Sequence, residues 1–287
     1  MSHLLAVGLG YSAERVAAAL AGQGWIVTGS CRRPEGMARI RALGHRAIAF
    51  DGSAPAAGMR AAIAEATHLL VSAAPGDTGD PLLRRHGDDI RSASRLRWIG
   101  YLSTVGVYGD HQGAWVDEAT PPTPVSERGQ RRVEAERRWL ELIRLPDRTV
   151  QVFRLAGIYG PGRNQLEQLR RGEAKRIVKP GQVFNRIHVD DIAGAVLAGI
   201  QHAEASGIFN VADDLPAPPD KVVAYAAGLL GCPAPPAEPF ETAALSPMAR
   251  SFYGEVKRVS NSRLKRELGW QPRYPTYREG LAALVET

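Results

Sequence analysis

Short, continuous apolar runs recur through the first half of the chain and constrain its fold more than any other feature. They have the length of single β-strands and do not alternate with polar residues as half-exposed strands do. The runs lie at Leu4–Val7, Trp25–Thr28, Ala47–Phe50, Leu69–Ser72, Arg97–Leu102 and Thr149–Arg154. Stretches with apolar residues at helical spacing, such as Val16-Ala17-Leu20, separate them. Strands buried on both faces that alternate with helices predict an α/β fold with a Rossmann-type, doubly wound parallel sheet.

The composition of the chain changes after Leu155. Gly and Pro become frequent over residues 157–162, and the run Lys179-Pro180-Gly181 predicts a hairpin. A Pro-rich stretch from Pro216 to Pro239 predicts a long loop. These features predict a second, smaller lobe with α+β structure.

Two later segments have the buried character of the first half again. They are a predicted helix near Asp191–Gly199 and a predicted strand near Gly207–Val211. We therefore expect the chain to return to the sheet before it ends. The predicted boundaries are a first domain over residues 1–155 that 187–211 rejoins, and a C-terminal lobe over 156–186 and 212–287.

The composition excludes several classes of protein. The 287 residues are 44% hydrophobic and 23% charged, which is typical of a soluble globular protein. No apolar run approaches the ~18 residues of a membrane span, so we expect no membrane insertion. Cys31 and Cys232 lie far apart without other ligands at metal-binding spacing, so we expect neither a disulfide framework nor a metal site. A reducing compartment, the cytoplasm, is the predicted location.

The basic residues are dominated by arginine. The net charge is +6, and 31 of the 36 basic residues are arginines. A nucleic-acid-binding protein usually concentrates such charge in one patch, whereas these residues are spread along the chain, so we expect no nucleic-acid partner. Two interpretations of the excess remain open, which are a coding bias towards arginine and a small-molecule ligand with phosphate groups.

A Gly-rich motif follows the first predicted strand and opens the first predicted helix. Its residues, Gly8-Leu9-Gly10-Tyr11-Ser12-Ala13, form the pattern G-x-G-x-x-A. In a βαβ unit Gly8 permits the tight turn, Gly10 lets the backbone approach a pyrophosphate, and Ala13 allows close helix packing. The helix N-terminus directs its N–H groups at the phosphates. We therefore predict that the first domain binds a dinucleotide, and the alternative is a Gly-rich turn without a ligand.

The end of the second predicted strand selects the type of dinucleotide. An NAD site usually has an acidic residue there that bonds the ribose 2′-hydroxyl, whereas this chain has Ser30-Cys31-Arg32-Arg33. Two guanidiniums favour a 2′-phosphate, because arginine forms charge-assisted bonds to phosphate oxygens. The predicted cofactor is NADP, with NAD less favoured. The alternative is that Arg32 and Arg33 are only the solvated end of a strand.

Further motifs follow in order along the chain. They are Ser103-Thr104-Val105-Gly106-Val107-Tyr108-Gly109, Arg154-Leu155-Ala156-Gly157-Ile158-Tyr159-Gly160-Pro161-Gly162-Arg163, Arg186-Ile187-His188-Val189-Asp190-Asp191, Phe209-Asn210-Val211 and Leu268-Gly269-Trp270-Gln271-Pro272. Together with the Gly motif they resemble the extended short-chain dehydrogenase/reductases, a group of NAD(P)-dependent epimerases, dehydratases and reductases that act mostly on nucleotide sugars. The resemblance covers nearly the whole chain.

The resemblance implies roles for several residues. It implies that Asp51 contacts the adenine, that Ala73 and Ala74 pass under the cofactor, and that Thr104 bonds the substrate hydroxyl or carbonyl. Thr104 has the alternative of a strand-end hydroxyl that satisfies nearby backbone. The segment with His188 would connect the lobes, with Asp190 as a helix N-cap and not a general base.

One family motif is altered in this chain. The family carries Y-x-x-x-K on the helix after the catalytic Ser/Thr, with a Glu four residues beyond the Lys. The corresponding run here is Arg128-Gly129-Gln130-Arg131-Arg132, followed by Glu136, so Arg128 stands in the Tyr place and Arg132 in the Lys place. No tyrosine occurs between Tyr108 and Tyr159, so no shift of register restores the motif.

This change affects the expected chemistry. The family tyrosine acts as a general acid/base, whereas an arginine with a pKa above ~12 cannot exchange a proton there. Arg128 could bind a substrate carboxylate or phosphate, and Arg132 could contact the nicotinamide ribose. Equally, both could be solvated residues of an Arg-rich helix.

Two functions from different classes follow. The first is an NADP-dependent oxidoreductase or epimerase for a small sugar or nucleotide-sugar substrate, with Thr104 and a water, or Tyr108 if its hydroxyl turns inward, as the proton donor. A buried packing role is the alternative for Tyr108. The second function is a non-catalytic dinucleotide sensor or scaffold. The loop Tyr159–Arg163, typical of a substrate cleft, favours the enzyme.

Two further predictions concern contacts with an anionic substrate group and with a second copy of the chain. Four arginines of the second lobe either meet an anionic substrate group or are scattered surface charge, namely Arg163, Arg170, Arg171 and Arg176. The family resemblance and the apolar residues Val133, Leu140 and Ile143 predict a homodimer paired through the helix after Thr104.

Overall fold

The computed structural model of the chain describes residues 1–285, and its elements follow the predicted alternation of strands and helices. The strands are β1 (His3–Val7), β2 (Ile26–Cys31), β3 (Arg46–Ala49), β4 (His68–Val71), β5 (Trp98–Thr104), β6 (Trp115–Val116), β7 (Thr149–Leu155), β8 (Gly157–Tyr159), β9 (Arg176–Val178), β10 (Arg186–His188), β11 (Gly207–Val211), β12 (Ala237–Pro239) and β13 (Arg258–Val259). The helices are α1 (Tyr11–Ala21), α2 (Pro34–Ala42), α3 (Ala57–Glu65), α4 (Pro81–Ser92), α5 (Glu127–Leu140), α6 (Gln165–Arg170), α7 (Val189–Gln201), α8 (Pro219–Leu229), α9 (Pro247–Phe252), α10 (Ser262–Leu268) and α11 (Tyr277–Ala282). Short 3-10 helices follow β5 at Val105–Tyr108 and α5 at Glu141–Arg144.

Seven of these strands form one sheet in the order β11-β7-β5-β4-β1-β2-β3, and every neighbouring pair is parallel. The chain runs outwards from β1 to β3 and then crosses back to β4. The strand order therefore reverses between β1 and β4, and ligands of such sheets bind beyond the carboxyl ends of the strands at this reversal. The predicted Rossmann-type parallel sheet is confirmed.

Two hydrophobic layers cover the two faces of the sheet. Successive residues of a strand point to opposite faces, so Leu4 of β1 lies in one layer and Leu5 in the other. The first layer includes Val16 of α1 and Ile192 of α7, and the second includes Met59 of α3. Each fully buried side chain of this size stabilises the fold by about 1.5–3 kcal/mol. The layers hold the carboxyl edge of the sheet in a fixed geometry.

The predicted hairpin in the smaller lobe is wrong. Residues 179–181 do form a turn, with Gly181 at φ 76°. The strands on either side of the turn do not pair with each other, because β9 pairs with β12 and β10 pairs with β8, both in parallel. The turn therefore redirects the chain between two separate pairs of strands.

The predicted Pro-rich loop is also wrong in part. Helix α8 lies within it and β12 at its end. Pro219 occupies the first turn of α8, where its fixed φ suits a helix and its missing N–H leaves no intrahelical bond unmade. A proline cluster that we interpreted as a loop therefore contains a helix start.

Residues 187–211 return to the large sheet through two elements, helix α7 and strand β11. Strand β11 is the edge strand beside β7, and α7 packs against α1. The division into two domains drawn from the sequence stays a prediction. Within residues 1–285, no helix has the length and apolar character needed to cross a membrane.

Candidate functional site

The turn between β1 and α1 forms one end of a cleft. Gly8 has φ 84°, and a Cβ atom at this position would lie 3.0 Å from the backbone nitrogen of Ala73. The Gly8 N–H donates to the Ser30 hydroxyl at 3.0 Å, so the end of β2 supports the turn. Gly10 is the N-cap of α1, and no side chain caps the helix. The first N–H groups of α1 are therefore left for a ligand, as a pyrophosphate requires.

A cavity of about 660 Å³ lies against this turn, at the carboxyl edge of the sheet. We call it the cofactor cavity. The lining residues that were predicted from the sequence are Gly8, Gly10, Tyr11, Ser12, Ser30, Arg32, Asp51, Ala73, Ala74 and Arg132. Ala13 and Arg33 do not line it: Ala13 is a buried residue of α1, and Arg33 is the exposed N-cap of α2. The volume lies within the range of about 300–1,000 Å³ that is usual for small-molecule sites.

Three charged side chains line the cofactor cavity besides Arg132, namely Arg32, Asp51 and Arg84. Arg32 is exposed at the end of β2. The hydroxyl and N–H of Ser53 donate to Asp51 at 2.7 and 2.8 Å, which holds the pKa of Asp51 below its ordinary value. Arg84 of α4 also lines the cavity and donates to the Gly52 carbonyl at 2.8 Å. The sequence analysis missed Arg84, since no motif marks it.

A second cavity of about 480 Å³ adjoins the first, and Leu155 and Ile158 line both. We call it the substrate-side cavity. Thr104 lies in its wall at the end of β5, and its hydroxyl oxygen accepts the Gly106 N–H at 3.1 Å. This is the local backbone bond that we considered as the alternative role of Thr104. The hydroxyl proton is not used in that bond and can still be donated.

Arg128 and Arg132, which the family resemblance places at the Tyr and Lys positions, lie in different surroundings on α5. Arg132 lines the cofactor cavity, and its Nη1 donates to the Leu102 carbonyl at 2.8 Å and the Tyr101 hydroxyl at 3.1 Å. The Arg128 guanidinium is 5.8 Å from the ring centre of Phe252, which lines the substrate-side cavity. Neither arginine has an acidic partner within 4.0 Å among the described residues. By contrast, Arg131 of the same helix pairs with Asp77 and Glu127.

A buried ion pair holds the carboxyl end of β5 in place. Glu136 accepts two bonds from the Arg154 Nε and one from Nη2 at 2.7 Å, and the Ser103 hydroxyl donates to it at 2.5 Å. Glu136 and Arg154 are each 2% exposed. Removing one partner of such a pair leaves an unpaired buried charge, which costs about 3–5 kcal/mol. The pair anchors β5, β7 and α5 together beside Thr104.

Tyr108 does not face the site. It is fully buried, its hydroxyl donates to the Asn210 side-chain oxygen at 2.8 Å, and burial raises its pKa. The Arg154 guanidinium lies 4.8 Å from its ring centre. The suggestion that Tyr108 turns inward as a proton donor is therefore wrong, and its packing role is confirmed.

The N-cap assigned to Asp190 is also wrong. The cap of α7 is His188, whose Nδ1 accepts the Asp190 N–H at 3.2 Å, because the helix begins at Val189. Burial lowers the pKa of His188 to about 4, so the ring is neutral and can accept this bond. Asp191 accepts the N–H groups of Arg273 and Tyr274. His188, Asp190 and Asp191 line neither cavity, and their role in connecting two lobes stays a prediction.

The arginines predicted to meet an anionic group separate into distinct places. Arg163 lines the substrate-side cavity, while Arg170 and Arg171 pair with Glu167. Arg176 lines neither cavity. Two buried cations, Arg186 and Lys257, also line this cavity; Arg186 lies within one of the sequence motifs, but the motif predicts no site role for it. Across residues 1–285, no group of three or more His, Cys, Asp and Glu side chains has a metal-binding arrangement.

The helix proposed for dimer contacts packs mainly on its own chain. Val133 and Leu140 pack against the two hydrophobic layers of the sheet, whereas Ile143 is 38% exposed. Two of the three residues that motivated the homodimer are therefore used inside the protomer. The homodimer stays a prediction.

Comparison with known proteins gives relatives over the full length. No protein-family model matches the chain. Protein YeeZ of Escherichia coli K12 is 31% identical over 286 residues, which cover 96% of this chain and 97% of YeeZ. A shorter match of 141 residues, 45% of each chain, is 34% identical to a 3-diazoavenalumate denitrifying reductase of Streptomyces.

Solved structures also match this chain over nearly its full length. A conserved protein of unknown function from Silicibacter pomeroyi is 49% identical with TM-score 0.89 and covers 100% of this chain and 99% of its own. A candidate NAD-dependent epimerase/dehydratase from Methylobacillus flagellatus is 27% identical with TM-score 0.74, covering 99% and 98%. MoeE5 in complex with UDP-glucose and NAD (22%, TM-score 0.77, covering 99% and 98%) and human SDR39U1 with NADPH (19%, TM-score 0.75, covering 99% and 99%) have the same fold.

The matches to YeeZ and to the solved structures extend over nearly the whole chain. They agree with the Gly turn, the parallel sheet and the ordered motifs at its carboxyl edge. The chain belongs to the NAD(P)-dependent epimerase/dehydratase family, within the extended and atypical short-chain dehydrogenase/reductases.

Proposed function

We propose that this protein is an NADP-dependent oxidoreductase of the epimerase/dehydratase type that acts on a small substrate with non-standard acid/base residues. One observation carries the proposal: the cofactor cavity and the substrate-side cavity meet at Leu155 and Ile158. A dinucleotide on the Gly turn and a small molecule beside Thr104 would then share a boundary, as a transfer between them requires.

The residues of the cofactor cavity suit NADP. The uncapped N-terminus of α1 would bind the pyrophosphate, and Arg32 with Arg84 would bind the 2′-phosphate through charge-assisted bonds. When bound, the nicotinamide supplies a hydride donor or acceptor. Arg132 would contact the nicotinamide ribose, as the family lysine does. Its guanidinium is already held in the cavity wall by its bond to the Leu102 carbonyl.

The acid/base role would fall to a group other than the family tyrosine, whose place Arg128 occupies. Thr104 keeps a free hydroxyl proton in the substrate-side cavity, and an ordered water could pass that proton on. Arg128 cannot exchange a proton, so it would not replace the family tyrosine. It lines neither cavity, and its guanidinium lies beside Phe252. Sugars and nucleotide sugars, which the family resemblance implies, form the first panel of substrates.

A non-catalytic NADP sensor or scaffold is the second candidate. It is favoured because Arg128 stands in the place of the family tyrosine and the Tyr108 hydroxyl is committed to Asn210, so neither residue would supply a proton to a substrate. Such a protein would bind the dinucleotide and would not turn it over.

Binding and turnover of the dinucleotide separate these candidates. Fluorescence titration with NADPH and NADH tests the cofactor, and stopped-flow oxidation of NADPH with keto sugars and nucleotide sugars tests the reaction. The proposal expects tighter binding of NADPH and oxidation that depends on a substrate. Binding without oxidation by any substrate supports the sensor, and the lack of any dinucleotide binding contradicts both.

The proposal includes a homodimer in the cytoplasm. Cys31 and Cys232 are both free thiols, which agrees with a reducing compartment. Light scattering at micromolar concentration tests the dimer, and a monomeric mass would refute it.

A further inference from the structure

Arg186 is a buried cation without an acidic partner. It lies on β10 in the wall of the substrate-side cavity and is 8% exposed. Its Nη1 donates to the carbonyls of Phe184 and Ala217 at 3.0 and 3.1 Å. No carboxylate lies within 4.0 Å of it in the described part of the chain. A guanidinium has five N–H donors, so most of its hydrogen-bonding capacity is left over.

Asp213, the acid that interacts most with Arg186, does not neutralise it. Asp213 accepts the Leu215 N–H through one oxygen, and its other oxygen is buried without a hydrogen-bond partner. Burial raises the pKa of Asp213 to about 8, so this carboxyl is mostly protonated at neutral pH. The charge of Arg186 is therefore uncompensated, and burying a charge in this way is unfavourable unless a partner is supplied.

The other charged groups inside the cavity compensate each other. Lys257 donates to the Glu255 carboxylate at 2.5 Å and to the Gly109 carbonyl at 2.6 Å. Arg163 is exposed at the rim. The interior of the cavity thus has one net positive group, Arg186.

The walls of the cavity are mostly apolar and include four aromatic rings, while Thr104, Gln165 and Tyr253 are its uncharged polar residues besides Asn185 and Tyr159. Phe184 and Tyr253 make an edge-to-face contact with ring centres 5.2 Å apart, and Phe252 lines the outer side. The amide of Asn185 is already used, because it donates to the Lys257 carbonyl and accepts the Val259 N–H. A sugar needs several partners for its hydroxyls, whereas a flat apolar body needs only aromatic faces.

We propose that the substrate-side cavity binds a planar organic acid, with its carboxylate on Arg186 and its conjugated body against Phe184, Phe252 and Tyr253. The bidentate pairing of a carboxylate with a guanidinium satisfies the free donors of Arg186. This inference rests on the proposed function for the reaction and narrows its substrate class from sugars to planar acids. Binding of the acid itself does not require the dinucleotide.

Calorimetric titration with trans-cinnamate as the probe tests the inference, with and without NADP⁺. We expect trans-cinnamate to bind at least about 10-fold tighter than the neutral trans-cinnamamide, and tighter than the non-planar 3-cyclohexylpropanoate and UDP-glucose. Equal binding of the acid and the amide would overturn the carboxylate site. Equal binding of the planar and non-planar acids would overturn the claim that the ligand has a planar body. Preferential binding of UDP-glucose would overturn both the carboxylate site and the planar body.

Variants at Arg186 and Phe252 test whether trans-cinnamate binds in the substrate-side cavity. Arg186→Gln should weaken trans-cinnamate binding by about 10- to 100-fold, whereas Arg171→Gln, an exposed arginine outside the cavity, should not change it. If Arg186→Gln does not fold, Phe252→Ala, at an exposed position, replaces it and should weaken binding of trans-cinnamate more than that of 3-cyclohexylpropanoate. Unchanged binding in the folded variant would overturn the assignment. Failure to bind NADP⁺ by a protein that still binds trans-cinnamate would contradict the proposed function alone.

Discussion

The cofactor cavity and the substrate-side cavity share a boundary but are built in different ways. The first is lined largely by the turns at the ends of β1, β2 and β4, including Gly8 and the N-terminus of α1. The second is formed by side chains from distant parts of the chain, such as Thr104, Arg186 and Phe252. A backbone site requires a fixed local motif, whereas a side-chain site can change one residue at a time. This difference explains how a protein can keep its cofactor site and alter its chemistry.

The largest expected effect concerns turnover on the substrate side. The double variant Arg128→Tyr with Arg132→Lys restores the family motif, and a positioned general acid contributes about 10²- to 10⁴-fold. We expect turnover of a family substrate, measured by steady-state NADPH oxidation, to rise by up to this factor. Arg137→Lys, at an exposed position of the same helix, serves as the control. An ordinary rate in the wild type and a slower double variant would show that Arg128 is a working substrate ligand.

A smaller effect, on NADPH affinity, is expected from a change in the Gly turn of the cofactor cavity. Gly8→Val places a side chain 3.0 Å from the Ala73 nitrogen at a positive φ, so NADPH binding should weaken by about 100-fold or more, equivalent to about 2.8 kcal/mol. Gly24→Ala is the matched control, because Gly24 also has a positive φ of 81° and no atom would lie within 4 Å of its Cβ. Both variants should lose stability in thermal unfolding, and only Gly8→Val should lose the cofactor. Similar NADPH affinity in the two variants would contradict a cofactor on the Gly turn.

The two arginines after β2 should differ. Arg32 lines the cofactor cavity and Arg33 does not, so Arg32→Ala should weaken NADPH binding by about 10- to 100-fold while Arg33→Ala changes it little. NADH affinity should stay the same in both variants, because NADH has no 2′-phosphate. Fluorescence titration measures both. A larger loss in Arg33→Ala would place the 2′-phosphate elsewhere.

The smallest effect concerns the acid near Arg186. The pKa of Asp213 is raised to about 8 in the folded protein, so the folded state holds its proton more tightly than the unfolded state does. Stability from this group is present at low pH and decreases as the pH rises from about 4 to 8. Asp213→Asn cannot ionise, so its stability relative to the wild type should increase by at least about 1 kcal/mol between pH 5 and 8. Asp88→Asn, at an exposed position, should show no such trend in urea unfolding.

The same contrast explains what the sequence could predict. The buried strands, the Gly turn and the residues beside it follow from local patterns, and the structure places Gly8, Ser30 and Asp51 around one cavity. Arg84 and Arg186 could not be assigned, because their roles depend on segments that only the fold brings together. Tyr108 was left open because a motif does not show on which side of a strand end a hydroxyl lies. The start of α8 was missed because prolines mark both loops and first helical turns.

A structure with NADP⁺ and trans-cinnamate bound tests the central claim most directly, that the two cavities hold a cofactor and a substrate which meet at Leu155 and Ile158. The account predicts the pyrophosphate at the N-terminus of α1, the 2′-phosphate on Arg32, and the nicotinamide ring at that boundary, facing Thr104. It also predicts the carboxylate of the acid on Arg186. A nicotinamide directed away from the substrate-side cavity, or no dinucleotide on the Gly turn at saturating concentration, would contradict it.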